Sequence, residues 1–156
     1  MKPIQWKTCI KWVVAAEGIG FLTGFLTSNG VEIYQQFAQK SPLTPPGWVF
    51  PVVWAVLYAL MGIGVCMVTK TGQQGTDRCV NLFIVQLIVN FFWPLLFFNA
   101  RVYGFALIWL ILLLILVVLM TICFYRKKPI AAGLQIPYIL WLIFAAYLNT
   151  AAWQLN

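Results

Sequence analysis

No histidine occurs among the 156 residues, which removes the commonest general base, the commonest transition-metal ligand and any histidine-ligated haem iron. Four cysteines, at positions 9, 66, 79 and 123, are isolated from one another, each near an expected helix end and without paired spacing. Structural cysteines are therefore favoured over a metal site or a catalytic thiol, and no metal site is expected. The remaining chemistry is aromatic. Phe50, Trp54 and Tyr58 recur at i, i+4, i+8; Asn90, Trp93 and Phe97 at i, i+3, i+7; Pro137, Trp141 and Ala145 again at i, i+4, i+8. Indole and phenol faces stack on flat conjugated rings, and Asn90 and the Tyr58 hydroxyl can orient a polar group. These residues suit a flat, lipophilic, amphipathic ligand whose carboxylates, if it has any, stay at a rim offering Lys40, Arg101 and Tyr34. The same spacing also serves a bundle core filled by large aromatics, with Asn90 as interhelical hydrogen-bond glue.

The elements that must position these groups follow from composition. With 63% apolar residues, 8% charged and a mean hydropathy of +0.90, a water-soluble domain would leave too much apolar surface uncovered. Asp, Glu, Lys and Arg are absent between Lys40 and Lys70, Arg78 and Arg101, Arg101 and Arg126, and beyond Lys128. Each gap holds a membrane span of about 20 residues. The expectation is an all-α membrane protein, a single five-helix transmembrane domain over 1–156, with helices near 11–28, 46–68, 79–99, 104–125 and 130–155. The unbroken apolar run from Ile108 to Met120 excludes the alternation of barrel strands. The one long connection, 29–45, is read as a loop or a pocket lid, with a short interfacial helix over Val31–Ala38.

Charge orients the bundle. Lys2, Lys7, Lys11, Lys70, Arg78, Arg126, Lys127 and Lys128 fall on one side and Lys40 and Arg101 on the other, which favours an amino terminus inside. The +7 net charge thus reports topology and lipid contact, and with the basic residues spread over short loops no nucleic-acid partner is implied. The first helix carries no convincing small-residue cleavage site after its apolar part and is read as an uncleaved span. Counting along each helix at ~1.5 Å per residue puts Trp54, Asn90, Trp93, Trp141 and Ala145 in one layer, ~9 to 21 Å from the outer boundary. Prolines 51, 94 and 137 add bends at this depth. Glu17, the one acid within an expected span, is either a shallow polar residue or a gating or proton-coupling group. Gly20 and Gly24, after Ala16, form a small-residue ridge suited to intramolecular packing or to a dimer seam.

Four ordered segments carry a resemblance: Pro45-Pro46-Gly47-Trp48; Val53-Trp54-Ala55-Val56-Leu57-Tyr58; Asn90-Phe91-Phe92-Trp93-Pro94 with Phe97, Phe98 and Arg101; and Pro137 through Asn149. Together they resemble the signatures of the tryptophan-rich sensory protein family, the family of the mitochondrial translocator protein, over nearly the whole chain. The resemblance implies a five-helix bundle, often dimeric, with an outward pocket under the first long loop that binds porphyrins such as protoporphyrin IX and haem, and benzodiazepine-site ligands. Trp54, Tyr58, Asn90, Trp93, Trp141 and Ala145 would line the pocket and Tyr34 would touch it from the loop; Pro45, Phe50, Phe97 and Leu148 complete the expected ligand-binding set. Trp54 and Trp141 match tryptophans linked to light-dependent porphyrin breakdown.

The chain departs from the family pattern at Leu43, where an aromatic is usual, at Trp109 in the fourth helix, and at Leu148-Asn149-Thr150, which lacks the tyrosine and arginine of the cholesterol motif. The last departure argues against sterol binding. The expected function is a porphyrin-binding receptor or sensor; light- and oxygen-dependent porphyrin degradation, which needs no cofactor, and porphyrin transport are the alternatives. The resemblance implies a homodimer, and the absence of a transit-like or carboxyl-terminal extension fits a bacterial inner membrane.

Overall fold

The computed structural model describes residues 6–156; Lys2, counted above for orientation, lies outside the described residues. No strand occurs among them, and five stretches are long and apolar enough to cross a membrane: Lys7–Phe37, Val49–Thr69, Thr76–Asn99, Tyr103–Lys127 and Pro129–Leu155. The helices are α1 (Trp6–Phe37), α2 (Val49–Thr69), α3 (Thr76–Pro94) running into a π-helical segment (Leu95–Asn99), α4 (Tyr103–Lys127), α5 (Pro129–Gly133) and α6 (Ile136–Leu155). The all-α, five-span architecture is the expected one. Outward faces carry exposed Val52, Val56, Ile108, Ile115, Leu140 and Ile143, which suit lipid rather than water.

The largest difference from expectation is α1. Ser28-Asn29-Gly30 reads as a break, yet the helix runs unbroken for 32 residues. Thr23, Thr27 and Ser28 turn their hydroxyls back onto the carbonyls of Ile19, Thr23 and Phe25, at 2.9, 2.8 and 3.0 Å, so these polar residues are satisfied inside the helix. Gly30 lets the π-helical segment approach: a Cβ there would lie 2.8 Å from the Phe98 carbonyl carbon, while Asn99 donates to the Leu26 carbonyl at 3.0 Å. The long loop and separate interfacial helix expected over 29–45 are therefore not formed. The connection is a short strap, residues 38–48, tied to the far end of the chain: Gln39 exchanges two hydrogen bonds with Asn156, of 3.1 and 2.9 Å, and Ser41 meets the Tyr147 hydroxyl at 2.7 Å.

Proline sets the other irregularities. Pro94 has no amide proton to donate, and beyond it the backbone widens, with Ala100 donating to Leu95 at 2.9 Å and Val102 to Leu96 at 3.2 Å. Pro129 opens α5, and α6 begins with Pro137 in its first turn, so the last span is broken near Leu134 and Gln135. Gln135 is wholly buried and donates to the Leu60 and Ala131 carbonyls at 3.2 and 3.3 Å, which fastens the break to α2.

The four cysteines form two disulfides, Cys9 to Cys66 and Cys79 to Cys123. The first joins the start of α1 to the end of α2, the second the start of α3 to the end of α4. Both lie at the end of the bundle that carries Lys70, Arg78, Arg126 and Lys127, where Lys127 also donates to the Gln74 carbonyl. The cysteines are structural, as expected, but paired, which their sequence spacing did not announce.

Candidate functional site

At the end away from the disulfides, α1, α2, the end of α3 with its π-helical segment, and α6 enclose a cavity of about 580 Å³. From α2 come Phe50, Pro51, Trp54 and Tyr58; from α3 and the π-helical segment, Trp93, Pro94, Phe97 and Phe98; from α6, Trp141, Ala145, Leu148 and Asn149. Nine of the eleven residues expected to bind ligand thus face one space: Tyr34, Phe50, Trp54, Tyr58, Trp93, Phe97, Trp141, Ala145 and Leu148. The aromatic rings support one another. Trp93 packs on Phe97 at 5.2 Å between centroids, Trp54 on Tyr58 at 5.7 Å and on Tyr138 at 6.2 Å, and Phe50 on Trp141 at 5.8 Å. A Cβ on Gly20 would stand 2.5 Å from the Tyr58 ring, so α1 approaches the floor of the cavity only because residue 20 is glycine.

Two of the eleven lie elsewhere. Asn90 is 1% exposed and sits beneath the cavity floor. Its amide oxygen accepts from the Tyr58 hydroxyl at 2.6 Å and its nitrogen donates to the Tyr138 hydroxyl at 2.6 Å. Tyr138 in turn donates to Gln86 at 2.8 Å, and Gln86 to the Met61 sulfur at 3.5 Å. Asn90 is the interhelical glue that its isolation also allowed, and it spends both polar ends on protein partners. Pro45, in the strap, is outside the lining, because the strap enters the cavity wall at Gly47 instead.

Tyr34 reaches the cavity from α1 rather than from a loop, buried and edge-on to Phe97 and Phe98 at 5.1 and 5.3 Å. Lys40 is not free for a ligand carboxylate. Its ammonium donates to the carbonyls of Tyr34, Gln35 and Ala38 at 3.1, 2.8 and 3.3 Å, closing the carboxyl end of α1, and lies 5.2 Å from the centre of the Tyr34 ring. Arg101 remains exposed at this end, in a left-handed backbone conformation with φ of 56°. The indoles differ in their polar contacts. Trp93 donates to Asn149 at 3.1 Å, and Asn149 to the Tyr103 carbonyl at 2.8 Å, whereas the Trp141 N–H is buried without a partner.

The wall that sequence spacing missed is α1. Glu17, Gly20, Gly24, Thr27, Val31 and Tyr34 line the cavity. Their near-heptad recurrence was legible as a stripe, but its members were read separately: Glu17 as an isolated acid, the glycines as a packing ridge and Tyr34 as a loop contact. Gly24 meets nothing within 4 Å and looks onto open space.

Comparison with known proteins agrees with this architecture. The family model described as TspO/MBR family matches residues 12–154. The chain is 36% identical to the human Translocator protein over 155 residues, covering 93% of this chain and 91% of that protein. It is 34% identical over 144 residues to the Tryptophan-rich protein TspO of Archaeoglobus fulgidus, covering 92% and 94%. A Chlorobaculum tepidum protein of the same name is 34% identical over 140 residues, covering 88% and 89%.

Proposed function

Because the chain belongs to the TspO/MBR family, we propose that it is an integral membrane receptor for flat, conjugated, lipophilic ligands, with tetrapyrroles such as protoporphyrin IX as the leading class. The observation that carries this reading is the cavity itself: Trp54 of α2, Trp93 of α3 and Trp141 of α6 converge on one space roomy enough for a drug-sized ligand. Aromatic walls stack on a conjugated macrocycle. A porphyrin's carboxylates stay at the mouth, near the end of the bundle that bears exposed Arg101, since none of the described lining residues is basic. In this reading the lysine- and arginine-rich end faces the cytoplasm of a bacterial cell. The two disulfides then lie on the side where cellular thiols are kept reduced, and their state follows the local thiol poise.

Protoporphyrin IX titrated into the protein in detergent is expected to quench tryptophan fluorescence saturably; an unchanged signal at high ligand excess refutes the reading. A second activity is favoured by the placement of Trp54 and Trp141 on the same cavity. Bound porphyrin that absorbs light passes its energy to dissolved oxygen, and the reactive oxygen formed oxidises the adjacent indole and the macrocycle. Illumination in air should bleach bound porphyrin, and do so more slowly in Trp54→Phe and Trp141→Phe; equal bleaching excludes a part for the indoles.

A further inference from the structure

The cavity is lined mainly by apolar side chains, and along the inner part of its α1 wall, from Glu17 to Ser28, the polar side chains are one carboxylate and hydroxyls; the Tyr34 hydroxyl and the Gln35 amide lie further along α1, where Gln35 approaches Gly47 of the strap. Four hydroxyls face or border that inner stretch, and every one has committed its proton: Thr23 to Ile19, Thr27 to Thr23, Ser28 to Phe25, and Tyr58 to Asn90. What they still offer is oxygen lone pairs. Glu17 lies on the same wall, one helical turn before Gly20 and therefore beside the Tyr58 ring that Gly20 admits. Among the described residues it is the one acid in the lining, and none of the described lining residues is a Lys or Arg that could neutralise it. A stretch of acceptors around one carboxylate, from Glu17 to Ser28, is matched by a donor that carries positive charge, and it opposes an anion.

We propose that the α1 wall is a subsite for a protonated nitrogen of the ligand, an amine or amidine, with Glu17 as its counter-ion and the Thr23 and Tyr58 oxygens as secondary acceptors. The proposal rests on the reading of the cavity as a site for flat ligands and adds a charge preference to it. The two polarities lie at opposite ends of the site: a bound molecule directs its nitrogen toward Glu17 and any carboxylate toward the mouth.

The test uses three planar probes of nearly equal shape, aminoacridine, acridine and acridine carboxylate, at a mildly alkaline pH where they are cationic, neutral and anionic. They are titrated into the full chain in phosphatidylcholine nanodiscs, with tryptophan quenching as the readout. The wild type should bind the cation about tenfold more tightly than the neutral probe, the size of one charge-assisted hydrogen bond, and the anion most weakly. Glu17→Gln should bring cation and neutral probe to within about twofold of each other, with saturable quenching by the neutral probe certifying an intact cavity; Glu17→Lys should favour the anion. A cation preference that persists in Glu17→Gln, or its absence in the wild type, overturns the proposal. If the neutral probe and protoporphyrin bind but charge has no effect, only this subsite fails. If nothing binds, the cavity reading falls with it.

Discussion

Asn90→Leu separates two roles that the position of Asn90 in the helix leaves tangled. Leucine has the same number and branching of side-chain heavy atoms, so the change removes polarity without opening a cavity. Two hydrogen bonds of 2.6 Å disappear, to Tyr58 and to Tyr138. Within a helix bundle in lipid each is worth about 0.5–1.5 kcal/mol. Tyr138 still has Gln86 as acceptor at 2.8 Å, but the Tyr58 hydroxyl, on a residue only 4% exposed, loses its own. Leaving that donor buried and unpaired costs about 1 kcal/mol more. The expected destabilisation is about 3 kcal/mol. Tyr58→Phe alone breaks one bond and should cost about 1 kcal/mol, and in the Asn90→Leu background it removes the orphaned hydroxyl, so the double variant should be more stable than the sum of the singles by about 1–2 kcal/mol. Reversible unfolding in mixed SDS micelles, followed by tryptophan emission, measures all three. Protoporphyrin affinity of folded Asn90→Leu should change less than about threefold, because the amide lies beneath the floor and its polar atoms are already engaged. A loss of stability under about 0.5 kcal/mol together with a tenfold loss of affinity would place Asn90 on the ligand instead, and strict additivity would refute the network.

The α1 glycines should differ sharply. Gly20→Ala drives a methyl to 2.5 Å from a Tyr58 ring anchored through its hydroxyl, and is expected to weaken protoporphyrin binding about tenfold and to cost about 1 kcal/mol, overpacking outweighing the gain in helix propensity. Gly24→Ala meets open space and should leave stability equal or slightly raised; similar titrations for the two would contradict the packing described. Reduction of the disulfides should lower the SDS unfolding midpoint. Loops of 57 and 44 residues correspond to about 4 kcal/mol each for a free chain, and to about half of that when the unfolded helices stay in the bilayer. Ligand affinity should hold, because the bridges lie at the other end; a midpoint indifferent to reductant would refute the pairing.

Much of this site could be read from residue spacing, and the failures have identifiable causes. Counting depth along each helix placed Trp54, Trp93 and Trp141 in one layer, and they share one cavity. The same count put Asn90 in that layer correctly but not on that wall. Three residues along a helix turn the side chain ~60° away from the starting direction, enough to aim Asn90 at Tyr138 while Trp93 faces the cavity. The disulfides were accessible to the identical arithmetic: Cys9, Cys66, Cys79 and Cys123 each fall at the helix end nearest the lysines, and alternating spans bring those ends together. Linear spacing hid what depth would have revealed. The continuation of α1 through Ser28-Asn29-Gly30 was not legible, since what holds it is tertiary: the π-helical segment that seats Phe98 and Asn99 against Gly30.

The two disulfides also give the bundle a fixed end and a free one. Covalent bonds tie α1 to α2 and α3 to α4 at the lysine-rich end, whereas at the other end α1, α2, α3 and α6 meet around the cavity through ring contacts and hydrogen bonds, among them Asn99 to Leu26, Trp93 to Asn149 and those of the strap. With the bridges formed, a tilt of α1 about the joined end would be magnified along the helix, from Cys9 to Tyr34. Such a tilt would widen the mouth and leave in place the buried chain beneath the floor, from Tyr58 through Asn90, Tyr138 and Gln86 to Met61.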